Sequence, residues 1–118
     1  MRIAVIGSRS IEKIDFDLVG ARPGDVIVSG GAKGPDSLAE EAALARGIPV
    51  TVYVPDYTKY GRAAPHVRNR MIAHTCDRLV AFWDGKSRGT ASTVDMARRF
   101  GKEVRVIEVR REAEEHAE

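Results

Sequence analysis

The sequence predicts an α/β fold: a Rossmann-like three-layer sandwich with a five-stranded parallel sheet, strand order 3-2-1-4-5, and helices on both faces. Three observations predict it. Short apolar, β-branched runs recur along the chain, helix-like segments separate them, and glycine-rich turns follow several of the runs. Strands that alternate with helices in this way are typical of βαβ units, and such units build a parallel sheet.

Five apolar runs mark the predicted strands, and they cover residues 3–6, 26–28, 50–54, 79–82 and 104–107. The first four are almost continuously hydrophobic, which is typical of parallel strands that are covered on both faces. The fifth run alternates apolar with charged residues. This alternation predicts a half-exposed strand at one edge of the sheet.

Four segments carry helical patterns, and they cover residues 10–20, 35–46, 65–75 and 90–100. The pattern in 35–46 is the clearest, because Pro35 suits the first helical position and Gly47 suits the position just beyond the end. The pattern in 10–20 is weaker. Its apolar residues Ile11, Ile14 and Leu18 fit one face of a helix, but the sequence does not mark where that helix begins.

The 118 residues predict a single domain over residues 1–109 and a polar tail over residues 110–118. With 43% hydrophobic residues the chain can bury a core, and its one cysteine, Cys76, has no intramolecular partner for a disulfide. Neither a signal peptide nor a membrane-spanning apolar stretch is recognisable, so a cytoplasmic location is expected. The formal net charge of +2 disfavours a broad nucleic-acid-binding surface.

Three of the predicted strand-to-helix loops combine glycine with hydroxyl groups and charged side chains. Ligands of such sheets bind outside the carboxyl ends of the strands, so these loops are expected to line one site. Glycine allows close approach of the backbone, and hydroxyl groups, cations and backbone amides match a phosphate. The predicted binding residues are Gly7, Ser8 and Arg9 after the first strand, Gly30, Gly31, Gly34 and Asp36 after the second, and Asp84, Gly85, Ser87, Gly89 and Thr90 after the fourth.

Two common nucleotide-binding motifs are incomplete in these loops. A Walker A motif would need glycine where Val80 stands, and the dinucleotide motif G-x-G-x-x-G would need glycine at Ser29. Asp56 does lie close to where a ribose-binding acid would follow the second motif. No metal site is predicted, because common ligand spacings are not matched by His66, His74 and Cys76.

Four ordered motifs resemble those of a known family. They are G-S-R after the first strand, S-G-G-A-x-G-x-D after the second, G-R-A-A-x-x-x-R-N-R-M in the third helix and F-W-D-G-x-S-x-G-T at the fourth loop. Together they resemble the YspA-like branch of the SLOG superfamily, over about residues 3–107. The resemblance implies a Rossmann-like domain that binds a nucleotide or a nucleotide-derived ligand. Homodimerisation is a further expectation, and no cofactor is predicted.

The same superfamily includes the Lonely Guy phosphoribohydrolases, which cleave the N-glycosidic bond of nucleoside monophosphates. The resemblance implies that Arg68 takes the place of their arginine, with Asn69 beside it as a ligand-binding residue. Their glutamate has no counterpart, because residues 91–94 read Ala-Ser-Thr-Val. Glycosidic cleavage needs a carboxyl group to transfer a proton or to stabilise the sugar cation. Four substitutes are open: Asp36, Asp56, Asp84 and Asp95.

Three functions follow from the sequence. The first is binding, or sensing, of a nucleotide or nucleotide-derived phosphorylated ligand at the carboxyl edge of the sheet. The second is N-glycosidic hydrolysis of a nucleotide, with Arg68 as the catalytic residue. The third is binding of single-stranded DNA, by analogy with the DNA-processing protein A domains of the superfamily. The near-neutral charge disfavours the third, because single strands usually lie in basic grooves.

Overall fold

Five parallel strands form the centre of the molecule in the computed structural model, which describes residues 1–110. The strands are β1 (Arg2–Gly7), β2 (Val26–Ser29), β3 (Val50–Val52), β4 (Arg78–Trp83) and β5 (Glu103–Glu108). Their order in the sheet is β3-β2-β1-β4-β5, and every neighbouring pair is parallel. The predicted fold class and strand order are confirmed. The polar tail predicted for residues 110–118 lies, beyond residue 110, outside the described residues.

Helices cover both faces of the sheet. They are α1 (Pro35–Ala45), α2 (Tyr57–Tyr60), α3 (Ala64–Thr75) and α4 (Arg88–Arg99). On one face α1 packs on alternate residues of the strands, among them Ile3 and Val5, and on the other face α3 and α4 pack on Ala4 and Ile6. Because successive strand residues point to opposite faces, one apolar run supplies both cores. No helix within residues 1–110 is long and apolar enough to cross a membrane.

The pairing of β1 with β4 positions the loops that follow them. Gly7 pairs with Phe82 at the carboxyl end of both strands, and the Ser8 N–H continues the ladder by donating to the Phe82 carbonyl at 3.0 Å. A Cβ atom at Gly7 would collide with that carbonyl oxygen and with the ring of Pro35. Glycine at this position therefore allows β1, β4 and the start of α1 to meet at one edge of the sheet.

The helix predicted for residues 10–20 is wrong. The structure has a short 3-10 helix there, from Phe16 to Val19, which Asp15 caps and Gly20 ends in the left-handed region. The buried side chains of this helix are Phe16 and Val19, whereas Leu18 is 48% exposed. The apolar spacing of the segment is therefore set by contacts of individual side chains with the core and not by one helical face.

Residues 50–54 also differ from the prediction of a strand covered on both faces. Strand β3 ends at Val52 and lies at the edge of the sheet, where Val52 is 41% and Val54 is 72% exposed. Their β-branched side chains favour extended backbone without determining the position of the strand in the sheet. Strand β5 occupies the other edge and is largely exposed, as its alternating sequence predicts.

Candidate functional site

An open pocket of about 440 Å³ lies at the carboxyl edge of the sheet. The loops after β1, β2 and β4 line it together with the first turns of α3, which is the arrangement expected for ligand sites in parallel sheets. Its volume lies in the range that suits small-molecule ligands. Of the residues that the sequence predicts for binding, the pocket brings together Gly7, Ser8, Arg9, Asp36, Arg68, Asn69, Asp84, Ser87, Gly89 and Thr90.

The other four predicted residues, all glycines, do not line this pocket. Gly30 lies behind it, against Arg68 and Asp36, and Gly31 lies beside the edge strand at Val52. Gly34 lines a neighbouring pocket of about 370 Å³, which shares Arg9 and Ser10 with the first. Gly85 lies near Glu108 of β5.

Asp84 joins the loops that follow β1 and β4. Its Oδ1 accepts hydrogen bonds from the N–H groups of Lys86 and Ser87, both at 2.8 Å, and its Oδ2 accepts one from Ser10 Oγ at 3.0 Å. The Asp84 N–H donates in turn to Ser8 Oγ at 3.1 Å. These hydrogen bonds lower the pKa of Asp84 to about 2, and the bond from the Ser87 N–H has the largest effect. Asp84 therefore stays ionised and holds the two loops in one conformation.

The first turn of α4 presents groups that suit an anion. Ser87 is the N-cap, and its Oγ lies 3.4 Å from the Thr90 N–H and 3.1 Å from Thr90 Oγ1. The first N–H groups of a helix have no intrahelical partner, and the helix dipole adds positive potential at this end. Gly89 contributes backbone without a side chain in this turn. The arrangement is typical of phosphate sites at helix N-termini.

Trp83 supports this turn from the end of β4. Its indole Nε1–H donates to the Ser87 carbonyl at 2.9 Å. No sequence pattern predicts this contact. Its effect is to fix the residue that caps α4, so the one tryptophan of the chain reports on the conformation of the pocket wall.

Arg68 and Asp36 hold Gly30 from its two sides. The Asp36 Oδ2 accepts from the Gly30 N–H at 2.9 Å, and the Arg68 Nη1 donates to the Gly30 carbonyl. Arg68 Nε also donates to Asn69 Oδ1 at 2.7 Å. A Cβ atom at Gly30 would lie 2.8 Å from Arg68 Nη1 and 3.0 Å from Asp36 Oδ2. Glycine is therefore what lets both charged side chains approach this backbone.

Asp36 is buried, with 4% of its surface exposed, although it lines the pocket. Burial raises the pKa of Asp36 to about 6, and the Gly30 N–H and the positive charge of Arg68 limit the rise. Asp36 is thus ionised at neutral pH at a considerable cost in desolvation. The two carboxyl groups that line the pocket among residues 1–110, Asp36 and Asp84, have pKa values shifted in opposite directions.

The structure places the other two acids considered for catalysis outside the pocket. Asp56 caps α2 by accepting from the Lys59 N–H at 3.1 Å. Asp95 forms a surface ion pair with Arg99 at 3.0 Å on α4. Neither residue lines the pocket, so neither replaces the glutamate that the sequence lacks.

Several further residues of the pocket are missed by the sequence analysis. Ser10 bonds to Asp84, and Thr93 is buried and donates from its Oγ1 to the Gly89 carbonyl at 2.8 Å. Pro65, which lines the pocket at the start of α3, precedes the predicted Arg68. The sequence could have predicted Ser10 as a pocket residue, because it belongs to the G-S-R-S loop after β1. The burial of Thr93 depends on how α4 packs and has no such signal.

His74 and Cys76 lie away from the pocket. The ring of His74 packs edge-on against Phe100, with the ring centroids 5.2 Å apart, and Cys76 is buried. Within residues 1–110 no group of three or more His, Cys, Asp or Glu side chains is arranged to hold a metal ion.

A parallel sheet of order 3-2-1-4-5, with a loop-lined pocket at its carboxyl edge, defines this molecule as a Rossmann-like α/β domain. The model of the YspA, cpYpsA-related SLOG family matches residues 1–60, which is half of the chain. The chain belongs to this SLOG family. A search among curated proteins gave no significant match.

A solved structure supports the same fold. The chain is similar to the X-ray structure of DNA processing protein A (DprA) from Streptococcus pneumoniae, with a TM-score of 0.74 and 25% sequence identity. The match covers 89% of this chain and 49% of the DprA chain, so this chain spans about half the length of that protein.

Proposed function

We propose that this SLOG domain binds a nucleotide or a nucleotide-derived phosphorylated ligand in the pocket at the carboxyl edge of its sheet. The observation that carries the proposal is the first turn of α4, where the Ser87 and Thr90 hydroxyl groups and the backbone at Gly89 line one wall. Hydrogen bonds to a charged group contribute about 1.5–3 kcal/mol each. Three or four of them approach the roughly 8 kcal/mol of a micromolar ligand.

The cations of the pocket support the same proposal. Arg68 is 8% exposed and fixed by Gly30 and Asn69, so its guanidinium group loses little conformational freedom when a ligand binds. Arg9 lies at the boundary with the neighbouring pocket. Two arginines and two aspartates leave the pocket electrically balanced, so its anion affinity comes from local hydrogen-bond donors at α4 and not from a broad basic surface.

Calorimetric titration with AMP and other nucleoside monophosphates tests the proposal, and Trp83 fluorescence follows the same binding because its indole contacts Ser87. Ser87→Ala is expected to weaken AMP binding at least about tenfold, since it removes a hydroxyl group and the helix cap. Ser92→Ala is the matched control, because Ser92 is exposed on the same helix and does not line the pocket. Mass spectrometry of the purified protein identifies any ligand that stays bound.

The outcomes are distinct. Equal affinity of the wild type and Ser87→Ala for AMP would place the phosphate away from α4. No binding of any nucleotide, combined with a length-dependent affinity for single-stranded oligonucleotides, would replace the proposal with the DNA-binding alternative.

N-glycosidic hydrolysis is the second candidate function, and one observation favours it. Asp36 lines the same pocket as Arg68, and its pKa of about 6 suits proton transfer near neutral pH. Incubation with AMP and detection of free adenine tests hydrolysis separately from binding. Turnover that survives in Arg68→Ala would exclude the catalytic role proposed for this arginine.

A further inference from the structure

A buried carboxylate in a pocket built for an anion is the least expected feature of the site. At neutral pH the Asp36 carboxylate carries a negative charge, and it lines the same pocket as the Ser87 and Thr90 hydroxyl groups. A phosphate placed beside Asp36 would meet a like charge in a poorly solvated environment, where such repulsion is strong. Asp36 therefore has to contact another part of the ligand.

Asp36 and the α4 turn belong to different parts of the pocket wall. Asp36 follows β2 and the α4 turn follows β4, and both line one pocket of about 440 Å³. One phosphate group does not fill that volume, so a ligand that binds at α4 and reaches Asp36 needs a further polar group beside its phosphate.

We propose that Asp36 is the specificity-determining residue of this pocket: its carboxylate accepts a hydrogen bond from a sugar hydroxyl of the ligand while the phosphate lies at the first turn of α4. The pocket then selects a phosphorylated sugar, such as the ribose phosphate of a nucleotide, and discriminates against free phosphate. The proposal rests on the proposed nucleotide-binding function and assigns the recognition of its sugar.

The contacts of Asp36 fit this role. Oδ2 is oriented by the Gly30 N–H, so the carboxyl group is held in place before the ligand binds. A carboxylate that accepts a hydroxyl proton makes a short, charge-assisted hydrogen bond. A ligand without that hydroxyl would lose the hydrogen bond to this buried carboxylate, which is how a polar site rejects close analogues.

The titration of Asp36 adds a pH dependence to this selectivity. The other charged groups that line the pocket are Arg68 from α3, Arg9 from the β1 loop and Asp84 from the β4 loop, and the charge of Arg68 acts on Asp36 directly. With its pKa raised to about 6, Asp36 is ionised at pH 8 and largely neutral at pH 5, whereas Asp84 is ionised at both. Free phosphate is therefore expected to bind the wild type better at pH 5 than at pH 8, once its own ionisation is accounted for.

The experiment compares three probes with the full chain at pH 8: AMP, 2′,3′-dideoxyadenosine 5′-monophosphate and inorganic phosphate. The wild type is expected to bind AMP at least about tenfold more tightly than the dideoxy analogue. In Asp36→Asn, AMP binding weakens by a similar factor, dideoxy binding does not weaken, and phosphate binding becomes several-fold tighter. Opposite changes for AMP and phosphate are a result that a merely structural role of Asp36 would not produce.

Asp95→Asn is the matched control, because it removes the same charge from an exposed position outside the pocket. It is expected to leave the affinity for all three probes unchanged. The comparison of AMP with its dideoxy analogue uses the wild-type protein alone, so it holds even if Asp36→Asn fails to fold.

Three outcomes would overturn the proposal. Equal binding of AMP and its dideoxy analogue by the wild type shows that no ribose hydroxyl is recognised. A parallel loss of AMP and phosphate affinity in Asp36→Asn shows that Asp36 only supports Gly30 and Arg68. Release of adenine that requires Asp36 assigns it to proton transfer. If the wild type binds neither these probes nor any other nucleoside monophosphate, the nucleotide-binding function itself falls, and this proposal with it.

Discussion

Asp84 and Asp36 line one pocket in contrasting surroundings. Asp84 is partly exposed and accepts three hydrogen bonds from Ser10, Lys86 and Ser87, and its pKa is lowered to about 2. Asp36 is buried and accepts a hydrogen bond from the Gly30 N–H, and desolvation raises its pKa to about 6. Two chemically identical side chains thus have different roles. Asp84 stabilises the loops, and Asp36 presents a carboxyl group to the pocket.

The contrast shows that the Asp84 carboxylate stabilises the fold, whereas the burial of the Asp36 carboxylate destabilises it at neutral pH. Hydrogen bonds to an ionised carboxylate favour the folded state, whereas burial of a carboxylate favours its protonated form and opposes folding at neutral pH. Natural proteins retain such unfavourable groups mainly where function needs them. The loop after β4 is therefore the fixed wall of the pocket, and the start of α1 carries the carboxylate to which we assign its selectivity.

The largest expected effect is the pH dependence of stability that Asp36 causes. Its folded-state pKa of about 6 lies above the ordinary value of 3.8, so the folded protein binds the extra proton between these values. The stabilising contribution is complete below about pH 4 and is lost as the pH rises through 6, by about 3 kcal/mol in total. Urea unfolding of the wild type and Asp36→Asn from pH 4 to 8 measures this difference. A difference that does not change with pH would contradict the prediction.

The next effect is that of Asp84→Ala. The change leaves two backbone N–H groups and the Ser10 hydroxyl without their acceptor, so the free energy of unfolding is expected to fall by about 2 kcal/mol at pH 7. Because the folded-state pKa of Asp84 is lowered, its contribution is present above pH 4 and decreases as the pH falls towards 2.

Asp95→Ala is the control for that measurement. Its ion pair with Arg99 is exposed, so its loss is expected to cost less than about 0.5 kcal/mol. Similar losses for the two variants would show that Asp84 is an ordinary surface residue and would remove the contrast with Asp36.

A smaller effect is expected for Trp83→Phe, which keeps the aromatic packing and removes the Nε1–H donor to the Ser87 carbonyl. The free energy of unfolding is expected to fall by about 1 kcal/mol. Circular dichroism measures it, because the variant has no tryptophan fluorescence. Unchanged stability would mean that Asp84 alone holds the cap of α4.

The smallest expected change in stability comes from Gly89→Ala, which is expected to change stability and AMP affinity in opposite directions. Gly89→Ala places a Cβ atom with no neighbour within 4 Å in the first turn of α4, so the protein is expected to become more stable by about 0.5 kcal/mol. AMP affinity is expected to fall, because the methyl group occupies the wall where we propose that the phosphate binds. Calorimetry together with urea unfolding measures both. Unchanged affinity would move the phosphate away from this turn.

Much of the fold follows from local patterns. The alternation of apolar runs with helical segments predicts a parallel sheet, and the structure has one, with the order 3-2-1-4-5 of the predicted fold class. Local patterns fail at residues 10–20, where Phe16 and Val19 are buried by packing and no helical face forms. They also fail at Val52 and Val54, because β-branched side chains favour a strand without fixing whether it is central or at an edge.

The sequence by itself determined that the strand-to-helix loops meet at the carboxyl edge, because the βαβ pattern makes the strands parallel. It also placed Asp36, Arg68 and Asp84 among the candidate binding residues. Only the tertiary structure decided how the two aspartates differ. Ser10 reaches Asp84 across 74 residues of sequence, and Arg68 reaches Gly30 across 38. Such contacts between residues far apart in the sequence determine how far each carboxyl group is desolvated and which hydrogen bonds it accepts. Desolvation and hydrogen bonding then set its charge state.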